Sequence, residues 1–399
     1  MAAKPKYAVG LDAGGRKTRL VICLLEDERF RVLGGAAVAS DGWLKGRIND
    51  QRAVTHSILA ALREAEATAG VSVESVVVGM GGPTLRGASS RGLVELGHLR
   101  EIDQRDVNRV VNRALRVQLP EDRIVLQLFP QDFVVDGHPG HRDPRKMLAS
   151  RLEINVHLLT ASLQEHNSLV GAVNQAHLVV EETVFEAMAA CYAAVLPEDR
   201  RDGIAVVDIG AQSTEMVVYY GDAMHIAATI QVCGDHFTRD LAQGLHLTFE
   251  DAELLKMEFG SALSATSPAN SVVELPTPES REPRQAPRKL VLRILEARAR
   301  ELFGHVQSEL ARVGMEHALA GGVFLAGAGA RLPDLCDAAE QVLQCQARFG
   351  LALGIKDWPE PLNDPEWAVA AGLAMYSAKL KQQAELQRDV TGWLGMILR

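Results

Sequence analysis

Two short segments of the sequence, 196 residues apart, share one order of apolar, acidic and small residues. The first runs over residues 8–22 and the second over residues 204–218. Each has an apolar run, then Asp-x-Gly with a short turn, then a second apolar run, so that Asp12 and Asp208 occupy equivalent positions. Apolar runs on both sides of a Gly-containing turn are typical of β-hairpins. The pattern therefore predicts two similar hairpins, one in each half of the chain.

These Asp-x-Gly turns have residue types suited to binding a phosphate and a cation together. Glycine at a hairpin tip lets the backbone approach an anion closely, and successive N–H groups can form a nest for it. Two facing carboxylates repel each other unless a cation lies between them. Mg²⁺ suits this role because it keeps some waters and links carboxylates to nucleotide phosphates. The repeat thus predicts a magnesium site at Asp12 and Asp208. The simpler alternative, two ordinary hairpins with Asp-Gly turn chemistry, is less favoured because the motif occurs twice.

A third small-residue turn follows an apolar run near residue 323 and precedes a predicted helix. Amides at the start of a helix can contact a ribose or a phosphate. The turn contains Gly327 and Gly329, and a dinucleotide-binding fingerprint also begins with Gly-x-Gly. That fingerprint requires a third Gly or Ala, followed about 20 residues later by an acidic residue. Leu332 occupies the third position, and the turn lies near the end of the chain, so dinucleotide binding is disfavoured.

The order of strand and helix signals around these turns predicts an α/β fold, because a strand, strand, helix, strand sequence in one stretch is typical of such layers. Apolar spacing predicts a helix within residues 51–67, and residues 84–160 are predicted to form an inserted small subdomain. The region Ala262–Arg288 is predicted to be a loop or hairpin. The other predicted strands are Tyr7–Leu11, Thr18–Leu25, Val76–Met80, Ile124–Phe129, Leu152–Thr160 and Gly321–Ala326, with His138–Arg145 as a loop. The other predicted helices are Asp103–Arg116, one after Ser162, Thr183–Ala194, Lys289–Val313 and Ala378–Gln387.

Length and composition limit the classes of protein that the chain can represent. Its 399 residues fit two domains or several subdomains, and the net charge of -9 argues against a general attraction to nucleic acid. There is no run of 18 apolar residues and no secretory apolar core at the N-terminus. The five cysteines are scattered, and none forms a CxxC pair. We therefore expect a soluble protein of a reducing compartment without a structural zinc site.

The last residues of the sequence have the spacing of an amphipathic helix. Their apolar side chains recur at i, i+3, i+4, i+7 and i+8, with Arg388 and Arg399 on either side. Such a helix either lies flat on a lipid surface or docks on the body of the protein, and the spacing alone does not decide between the two. The apolar positions are Val390, Trp393, Leu394, Ile397 and Leu398.

Three motifs in this order make the sequence similar to the actin-like ATPase superfamily, and in particular to the bacterial FtsA cell-division family. GLDAGGRKT (Gly10–Thr18) resembles the first phosphate loop of that family, and VVDIGAQSTEMVVY (Val206–Tyr219) resembles its second. FLAGAGARLPDL (Phe324–Leu335) resembles its adenosine motif. The segments Val184–Leu196 and Ala368–Tyr376 resemble the two connecting helices. The likeness covers nearly the whole chain.

The resemblance implies a bilobed actin-like fold, which is a duplicated ribonuclease H-like α/β fold, with a small α+β insert subdomain and a C-terminal amphipathic helix. It implies that residues 1–83 and 161–202 form subdomain 1A, and that residues 84–160 form the insert, 1C. The remaining implied units are 203–240 and 321–365 (2A), 241–320 (2B), 366–385 (a return helix to 1A) and 386–399 (a linker and membrane helix).

The resemblance also implies that ATP and Mg²⁺ bind in the cleft between the halves. Asp12 and Asp208 would hold the hydrated ion and form the catalytic set with Glu186, which would orient the attacking water. Gly15 stands where a hydroxyl residue often binds phosphate, and Gly210-Ala211-Gln212-Ser213 replaces the usual Gly-Gly-Gly-Thr, so we expect slow or undetectable hydrolysis. The implied nucleotide contacts are Gly14, Gly15, Lys17, Gly210, Ala211, Gly234, Asp235, Glu253, Lys256, Gly327, Ala328, Gly329 and Arg331.

As implied by the resemblance, the chain is a cell-division scaffold that forms filaments and tethers the FtsZ ring to the cytoplasmic face of the membrane at the division site. The C-terminal helix would contact the lipid, later division proteins would be recruited, and nucleic acid would not be a partner. Lys289, Arg293 and Arg298 would receive the C-terminal peptide of FtsZ, unless this helix face is simply solvated and carries pairs such as Glu296–Arg300. Two alternatives remain for the whole chain: an actin-like ATPase of another assembly, such as PilM, and a sugar- or acetate-kinase-like phosphotransferase.

Overall fold

The computed structural model describes residues 6–26, 29–221, 223–266, 268, 270–275 and 284–397. The strands are β1 (Tyr7–Ala13), β2 (Lys17–Glu26), β3 (Arg29–Ala39), β4 (Trp43–Leu44), β5 (Arg47–Ile48), β6 (Ser75–Met80), β7 (Arg86–Glu101), β8 (Arg123–Val135), β9 (His138–His141), β10 (Leu148–Ser162), β11 (Val179–Phe185), β12 (Ile204–Ile209), β13 (Thr214–Tyr220), β14 (Ala223–Ile230), β15 (Val272–Leu275), β16 (Arg284–Pro287), β17 (Gly322–Ala326) and β18 (Ala347–Phe349). The helices are α1 (Gln51–Ala69), α2 (Gln104–Ala114), α3 (Leu163–Gln175), α4 (Glu186–Ala194), α5 (Gly234–Leu245), α6 (Phe249–Phe259), α7 (Arg288–Arg312), α8 (Leu335–Leu343) and α9 (Ala368–Ile397).

Two five-stranded sheets with the same topology form the centres of the two lobes. In the first lobe the strand order is β3-β2-β1-β6-β11, and in the second it is β14-β13-β12-β17-β18. In both sheets the first three strands are antiparallel, and the last two run parallel to the middle strand. The two Asp-x-Gly segments form the equivalent hairpins β1–β2 and β12–β13. The predicted hairpins and the duplicated α/β fold are therefore confirmed.

The helices α4 and α9 join the two lobes through close contacts between small residues. Both helices pack against each other, α9 packs on β1, and α4 packs on β12 and β13. A methyl group added at Gly372 would lie 1.8 Å from the carbonyl oxygen of Ala189, and one added at Gly10 would lie 2.3 Å from that of Ala370. Only glycine permits such separations, since carbon and oxygen atoms repel strongly at these distances. These contacts hold α9 tightly against both α4 and β1.

Residues 84–160 form a separate four-stranded sheet, with strand order β7-β10-β8-β9 and with α2 on one face. The sheet also contacts β14 of the second lobe, where the His157 imidazole accepts a hydrogen bond from the Ala227 amide at 3.2 Å. The predicted loop His138–Arg145 is wrong at its start, because His138–His141 pairs with β8. The strand β7 was not predicted, because its exposed positions are mostly polar and only every second residue near its middle is buried.

Three other predictions differ from the structure. The predicted helix Thr183–Ala194 begins only at Glu186, because Thr183, Val184 and Phe185 pair in parallel with β6. The break expected between a return helix and a terminal linker is also absent from the described chain, where α9 runs without interruption to Ile397. The sequence 377–391 has no glycine or proline and is rich in strong helix formers, which explains this continuity. The adenosine motif enters a short 3₁₀ turn (Ala328–Arg331), and α8 starts four residues later.

Two predicted elements are too short, because β8 continues past Phe129 to Val135 and the predicted helix Ala378–Gln387 is only the middle of α9. The remaining element predictions agree with the structure to within a few residues. The hairpin alternative for Ala262–Arg288 is confirmed by the antiparallel pairing of β15 with β16, between which residues 276–283 lie outside the described chain. In the described part of the protein, no helix combines the length and the apolar character needed to cross a membrane.

Candidate functional site

A cavity of about 470 Å³ lies between the two lobes, at the tips of the equivalent hairpins. All sixteen residues that the sequence predicted for catalysis, metal binding and nucleotide contact line this one cavity. They come from five separate parts of the chain: residues 12–17, 186, 208–211, 234–256 and 327–331. A cavity of this size is typical of small-molecule sites. The structure thus brings the predicted residues together, while their individual roles stay predictions.

The two hairpin tips have the same backbone geometry. In the first, the Gly14 amide donates a hydrogen bond to the Lys17 carbonyl at 3.2 Å, and in the second the Gly210 amide donates to the Ser213 carbonyl at 2.9 Å. A methyl group added at either glycine would lie within 2.9 Å of the accepting carbonyl oxygen. Glycine is therefore required at each tip for this tight closure.

The two aspartates differ in the residue that lies opposite each on the neighbouring strand. Asp12 is paired in register with Arg19, whereas Asp208 is paired with Glu215. Arg19 is buried, and its guanidinium lies 3.3 Å from the Asp12 carboxylate. Burial raises the pKa of Asp12, and the charge and hydrogen bond of Arg19 offset part of that rise. The first aspartate therefore has an internal cation, and the second has an acidic neighbour instead.

Three carboxyl groups meet beside the second hairpin. One oxygen of Glu186, one of Asp208 and one of Glu215 all lie within 4.8 Å of one another. The Gly82 amide donates a hydrogen bond to Glu215 at 2.6 Å. Burial is the main cause that raises the pKa of Asp208 and the pKa of Glu186 well above their usual values, and the charges of the neighbouring acids raise both further. Burial also raises the pKa of Glu215, to about 7. A cation placed among these three groups would relieve their mutual repulsion.

This arrangement of acids differs from the pairing that the sequence suggested, and the metal site itself stays a prediction. The sequence predicted a cation between Asp12 and Asp208, but the structure groups Asp208 with Glu186 and Glu215 and pairs Asp12 with Arg19. Within the described residues, no lysine or arginine forms an ion pair with any of the three grouped acids. Hard oxygen donors suit Mg²⁺, so this donor set fits the ion that the resemblance implies. Glu215 was missed, although it follows Asp208 by the same seven positions that separate Arg19 from Asp12.

We expect Glu215→Gln to stabilise the protein in the absence of divalent cations, and increasingly so as the pH rises. A carboxyl group whose pKa rises on folding favours the folded state at low pH, and this contribution is lost as the pH climbs from about 4.5, the usual value, through about 7. The difference in unfolding free energy between variant and wild type should grow by roughly 2 kcal/mol between pH 5 and pH 8. Denaturant unfolding at the two pH values measures it. A constant difference would contradict the burial of an ionisable Glu215.

Two predicted nucleotide contacts, Lys17 of the first phosphate loop and Arg331 of the adenosine motif, form ion pairs with one acid, Glu366. The Lys17 ammonium is 3.1 Å from the Glu366 carboxylate, and the Arg331 guanidinium is 3.7 Å from it. In the loop that holds Arg331, Gly327 has φ +79°, and a methyl group there would lie 2.4 Å from Asp208 Oδ1. Glycine at this position thus lets the adenosine loop approach the acidic group directly. Sequence reasoning did not find Glu366.

The opposite wall of the cavity is formed by the start of α5 and by α6. Asp235 forms an ion pair with Arg16 at 3.2 Å, and the Arg16 guanidinium lies 4.7 Å from the centre of the Phe249 ring. Because Arg16 belongs to the first phosphate loop, this contact links the two lobes across the cleft. On the same wall Lys256 pairs with Glu253 at 2.8 Å. The sequence predicted Asp235, Glu253 and Lys256 but not Arg16, whose partners lie in the other half of the chain.

The predicted partner residues lie on α7, away from the cavity. Lys289 and Arg293 are exposed, but Arg298 is held by Asp240, with nitrogen–oxygen distances of 2.6 and 2.8 Å, and by Glu301 at 2.6 Å. The pair Glu296–Arg300, expected for a solvated helix face, is present at 3.0 Å. Of the predicted lipid contacts, Val390, Trp393, Leu394 and Ile397 belong to the last turns of α9, and Leu398 lies outside the described residues.

Two family models match separate parts of the chain. The model described as "Cell division protein FtsA" matches residues 205–372, which include the second phosphate loop and the adenosine motif. The model described as "SHS2 domain inserted in FTSA" matches residues 82–160, the region that forms the small four-stranded sheet.

Relatives named cell division protein FtsA match the chain over nearly its full length. The Pseudomonas aeruginosa protein is 30% identical over 388 residues, which cover 97% of this chain and 93% of that protein. The Borreliella burgdorferi protein is 31% identical over 401 residues, which cover 96% of this chain and 97% of that protein. The Escherichia coli K12 protein is 29% identical over 404 residues, covering 99% and 96%.

Several solved structures have a similar fold. A PilM–PilN type IV pilus biogenesis complex contains a chain that superposes with a TM-score of 0.69 at 18% identity, covering 93% of this chain and 98% of that one. MreB5 of Spiroplasma citri bound to ADP superposes with a TM-score of 0.56 at 12% identity, covering 94% and 98%. At these identities the likeness concerns the fold, which is actin-like.

Proposed function

We propose a function for this chain from the premise that it belongs to the FtsA family of cell division proteins. In this proposal it is an ATP-binding scaffold that tethers the FtsZ ring to the cytoplasmic membrane. The nucleotide part of the proposal rests on one observation. All sixteen residues predicted for catalysis, metal binding and nucleotide contact line a single cavity between the lobes. MreB5 of Spiroplasma citri shares the fold and has been solved with ADP and with AMPPNP, which supports the same part of the proposal.

In the proposed complex the two hairpin tips hold the phosphates from opposite lobes. Gly14, Gly210 and Lys17 line the cavity, and Lys17 would reach the phosphates from the first tip. Glu186, Asp208 and Glu215 would hold Mg²⁺, which supplies positive charge to the phosphates when bound. The adenosine lies between α6 and the turn that begins at Gly327. The phosphate and adenosine assignments follow the family pattern, whereas the metal set follows the geometry, with Glu186 and Glu215 beside Asp208 in place of Asp12.

The second phosphate loop supports binding more than fast hydrolysis. The Gln212 side chain accepts a hydrogen bond from the Gly46 amide at 2.9 Å, so it bridges to the first lobe. The loop keeps its backbone donors, which suffice for phosphate binding, but it has Ala211 and Gln212 in place of two glycines of the usual loop. Glu186, which would orient water, lies among other acids. We therefore propose a nucleotide-controlled scaffold with little turnover.

The membrane part of the proposal depends on the last turns of α9. An amphipathic segment of about ten residues is too short to span a bilayer and would lie flat on its surface. Its basic residues are few, so a single copy would bind weakly, and many copies in one filament would bind well by avidity. In this proposal ATP favours filaments, and filaments multiply the lipid contacts.

The FtsZ part of the proposal concerns the exposed face of α7 around Lys289 and Arg293. In the described residues neither side chain has a hydrogen bond or an ion pair, so both are available to an acidic peptide. Arg298, in contrast, is already engaged by Asp240 and Glu301 and would contribute mainly by keeping α5 and α7 together. The geometry therefore gives Arg293 the larger direct role.

We expect Arg293→Glu to weaken binding of an FtsZ C-terminal peptide by about tenfold or more, because it replaces an attractive charge with a repulsive one. Fluorescence anisotropy with a labelled peptide measures the affinity. The matched control is Arg312→Glu, the same charge change about 28 Å along the same helix, which should leave the affinity within about twofold. A wild-type protein that fails to bind the peptide, or equal losses in both variants, would refute this part of the proposal.

A further inference from the structure

Three basic side chains from two segments of the chain converge on the carboxylate of Glu366. Arg19 and Lys17, both of β2, lie 2.6 Å and 3.1 Å from it, and Arg331 of the adenosine loop lies 3.7 Å from it. The segments belong to both lobes, and all four side chains line the cavity. An acidic group therefore occupies the point where the positive charges of the proposed nucleotide site meet.

Glu366 is held in place and stays ionised. It belongs to a short 3₁₀ turn, Pro365–Trp367, that leads into α9, and Trp367 anchors this turn in the core with 5% exposure. The Pro365 carbonyl accepts a hydrogen bond from the Gly327 amide at 2.9 Å. Burial alone would raise the pKa of Glu366, but the charges and hydrogen bonds of Arg19 and Lys17 outweigh it and lower the pKa. The carboxylate thus remains a fixed negative charge in the cavity wall.

The partners of Glu366 differ in their freedom to leave it. The Arg19 side chain is 7% exposed and is also bound to Asp12, so it stays in place. The Lys17 and Arg331 side chains are 45% and 52% exposed, and they can turn toward a ligand in the cleft. Carboxylates and phosphates are both oxyanions that bind these cations through charge-assisted hydrogen bonds. A phosphate group that binds Lys17 or Arg331 in the cleft therefore competes with Glu366, and for Arg331 it competes also with Asp364, whose carboxylate lies 3.2 Å from the guanidinium.

We propose that Glu366 is a specificity-determining residue that competes with the phosphates of the nucleotide for Lys17 and Arg331. This inference rests on the proposed binding of a nucleotide in the cleft. Because the competition concerns only the phosphates, it lowers the affinity for ATP and leaves the contacts with the adenosine moiety unchanged. Glu366 thus limits how much affinity each additional phosphate contributes, and keeps the site from binding ATP too tightly to exchange it.

The test compares adenosine, ADP and ATP, each with Mg²⁺, as ligands of the full-length protein and of Glu366→Gln. Glutamine has the size of glutamate and can still accept a hydrogen bond from Arg19, but it has no charge. Calorimetric titration should show ATP binding about fivefold tighter or more in the variant, with a smaller gain for ADP. Adenosine affinity should stay within about twofold, since no charge of the ligand is involved.

Two further variants keep the result interpretable. Glu360→Gln removes the same charge from an exposed residue outside the cavity, and it should leave every affinity unchanged. Glu366→Asp keeps the charge for Arg19 but shortens its reach toward Lys17 and Arg331. The aspartate variant should tighten ATP binding less than the glutamine variant does. If the glutamine variant unfolds, the comparison with the wild type is made with the aspartate variant alone.

Equal changes for adenosine and ATP, or weaker ATP binding in both Glu366 variants, would overturn the inference and show that Glu366 only supports the fold. These outcomes leave the proposed function intact, because the wild-type protein still binds ATP. If the folded wild-type protein binds neither ADP nor ATP, the proposed function fails, and the inference fails with it.

Discussion

Asp208→Asn is expected to lower the affinity for ATP and Mg²⁺ by about 100-fold, which corresponds to roughly 2.7 kcal/mol. The change removes one of three acidic groups that lie within 4.8 Å of one another and leaves the shape of the side chain almost unchanged. Burial raises the pKa of Asp208 well above its usual value, so ionisation of Asp208 destabilises the folded protein when no cation is bound. The variant should therefore be at least as stable as the wild type when nucleotide and Mg²⁺ are absent.

The same experiment on Asp12 distinguishes the geometry from the sequence pattern. The repeat treats Asp12 and Asp208 as equivalent, but Arg19 already neutralises Asp12. We therefore expect Asp12→Asn to reduce ATP affinity less than Asp208→Asn does. Asp202→Asn, an exposed residue close to Asp208 in sequence, is the matched control and should have no effect. Equal losses in the two hairpin variants would contradict the placement of the cation on the side of Asp208.

Removal of residues 389–399 is expected to reduce sedimentation with anionic lipid vesicles from most of the protein to the background level. The segment contributes five apolar side chains, and burial of each in lipid is worth about 1.5–3 kcal/mol before the cost of ordering. Since binding depends on avidity, the difference between the two forms should be largest with ATP, under conditions that favour filaments. Sedimentation with and without vesicles separates lipid binding from self-assembly.

A pair of single substitutions sharpens the truncation experiment. Trp393→Glu places a charge in the centre of the predicted apolar face and should reproduce most of the loss. Gln387→Glu adds the same charge before that face begins, and should leave sedimentation nearly unchanged. If the truncated protein sediments with vesicles as well as the full chain does, the terminal segment is not the lipid contact.

Much of the fold follows from local patterns that a single sequence displays. The hairpins at Asp12 and Asp208 could be predicted because each has an Asp-x-Gly turn between two apolar runs, and because the pattern occurs twice. The helix α1 has regular apolar spacing and was predicted almost to its ends. These signals lie within a few residues of one another, where backbone preference and burial act together.

The errors arise where distant parts of the chain decide the structure. Thr183–Phe185 extend a parallel sheet because β6 lies beside them, a fact that helical spacing does not contain. Polar β7 is a strand because β10 pairs along nearly its full length. The continuity of α9 could have been anticipated from the lack of glycine and proline in residues 377–391, but the family pattern suggested a linker there.

The site shows the same division between local and distant information. The residues of the phosphate loops have local signals, and all of those predicted line the cavity. Glu366 has no local signal in the sequence, because its partners Lys17 and Arg19 lie more than 340 positions earlier in the chain. The contrast between Arg19 and Glu215 was visible in the repeat, but its meaning required the register of the two hairpins.

The most direct test of the central claim is a crystal structure of the full chain grown with a non-hydrolysable ATP analogue and Mn²⁺ in place of Mg²⁺. Anomalous scattering locates the metal independently of the protein coordinates. We predict one nucleotide in the cleft, with its phosphates between the turns at Gly14 and Gly210, and one manganese ion beside Asp208. A cleft without nucleotide, or a metal ion bound away from Asp208, would contradict the account.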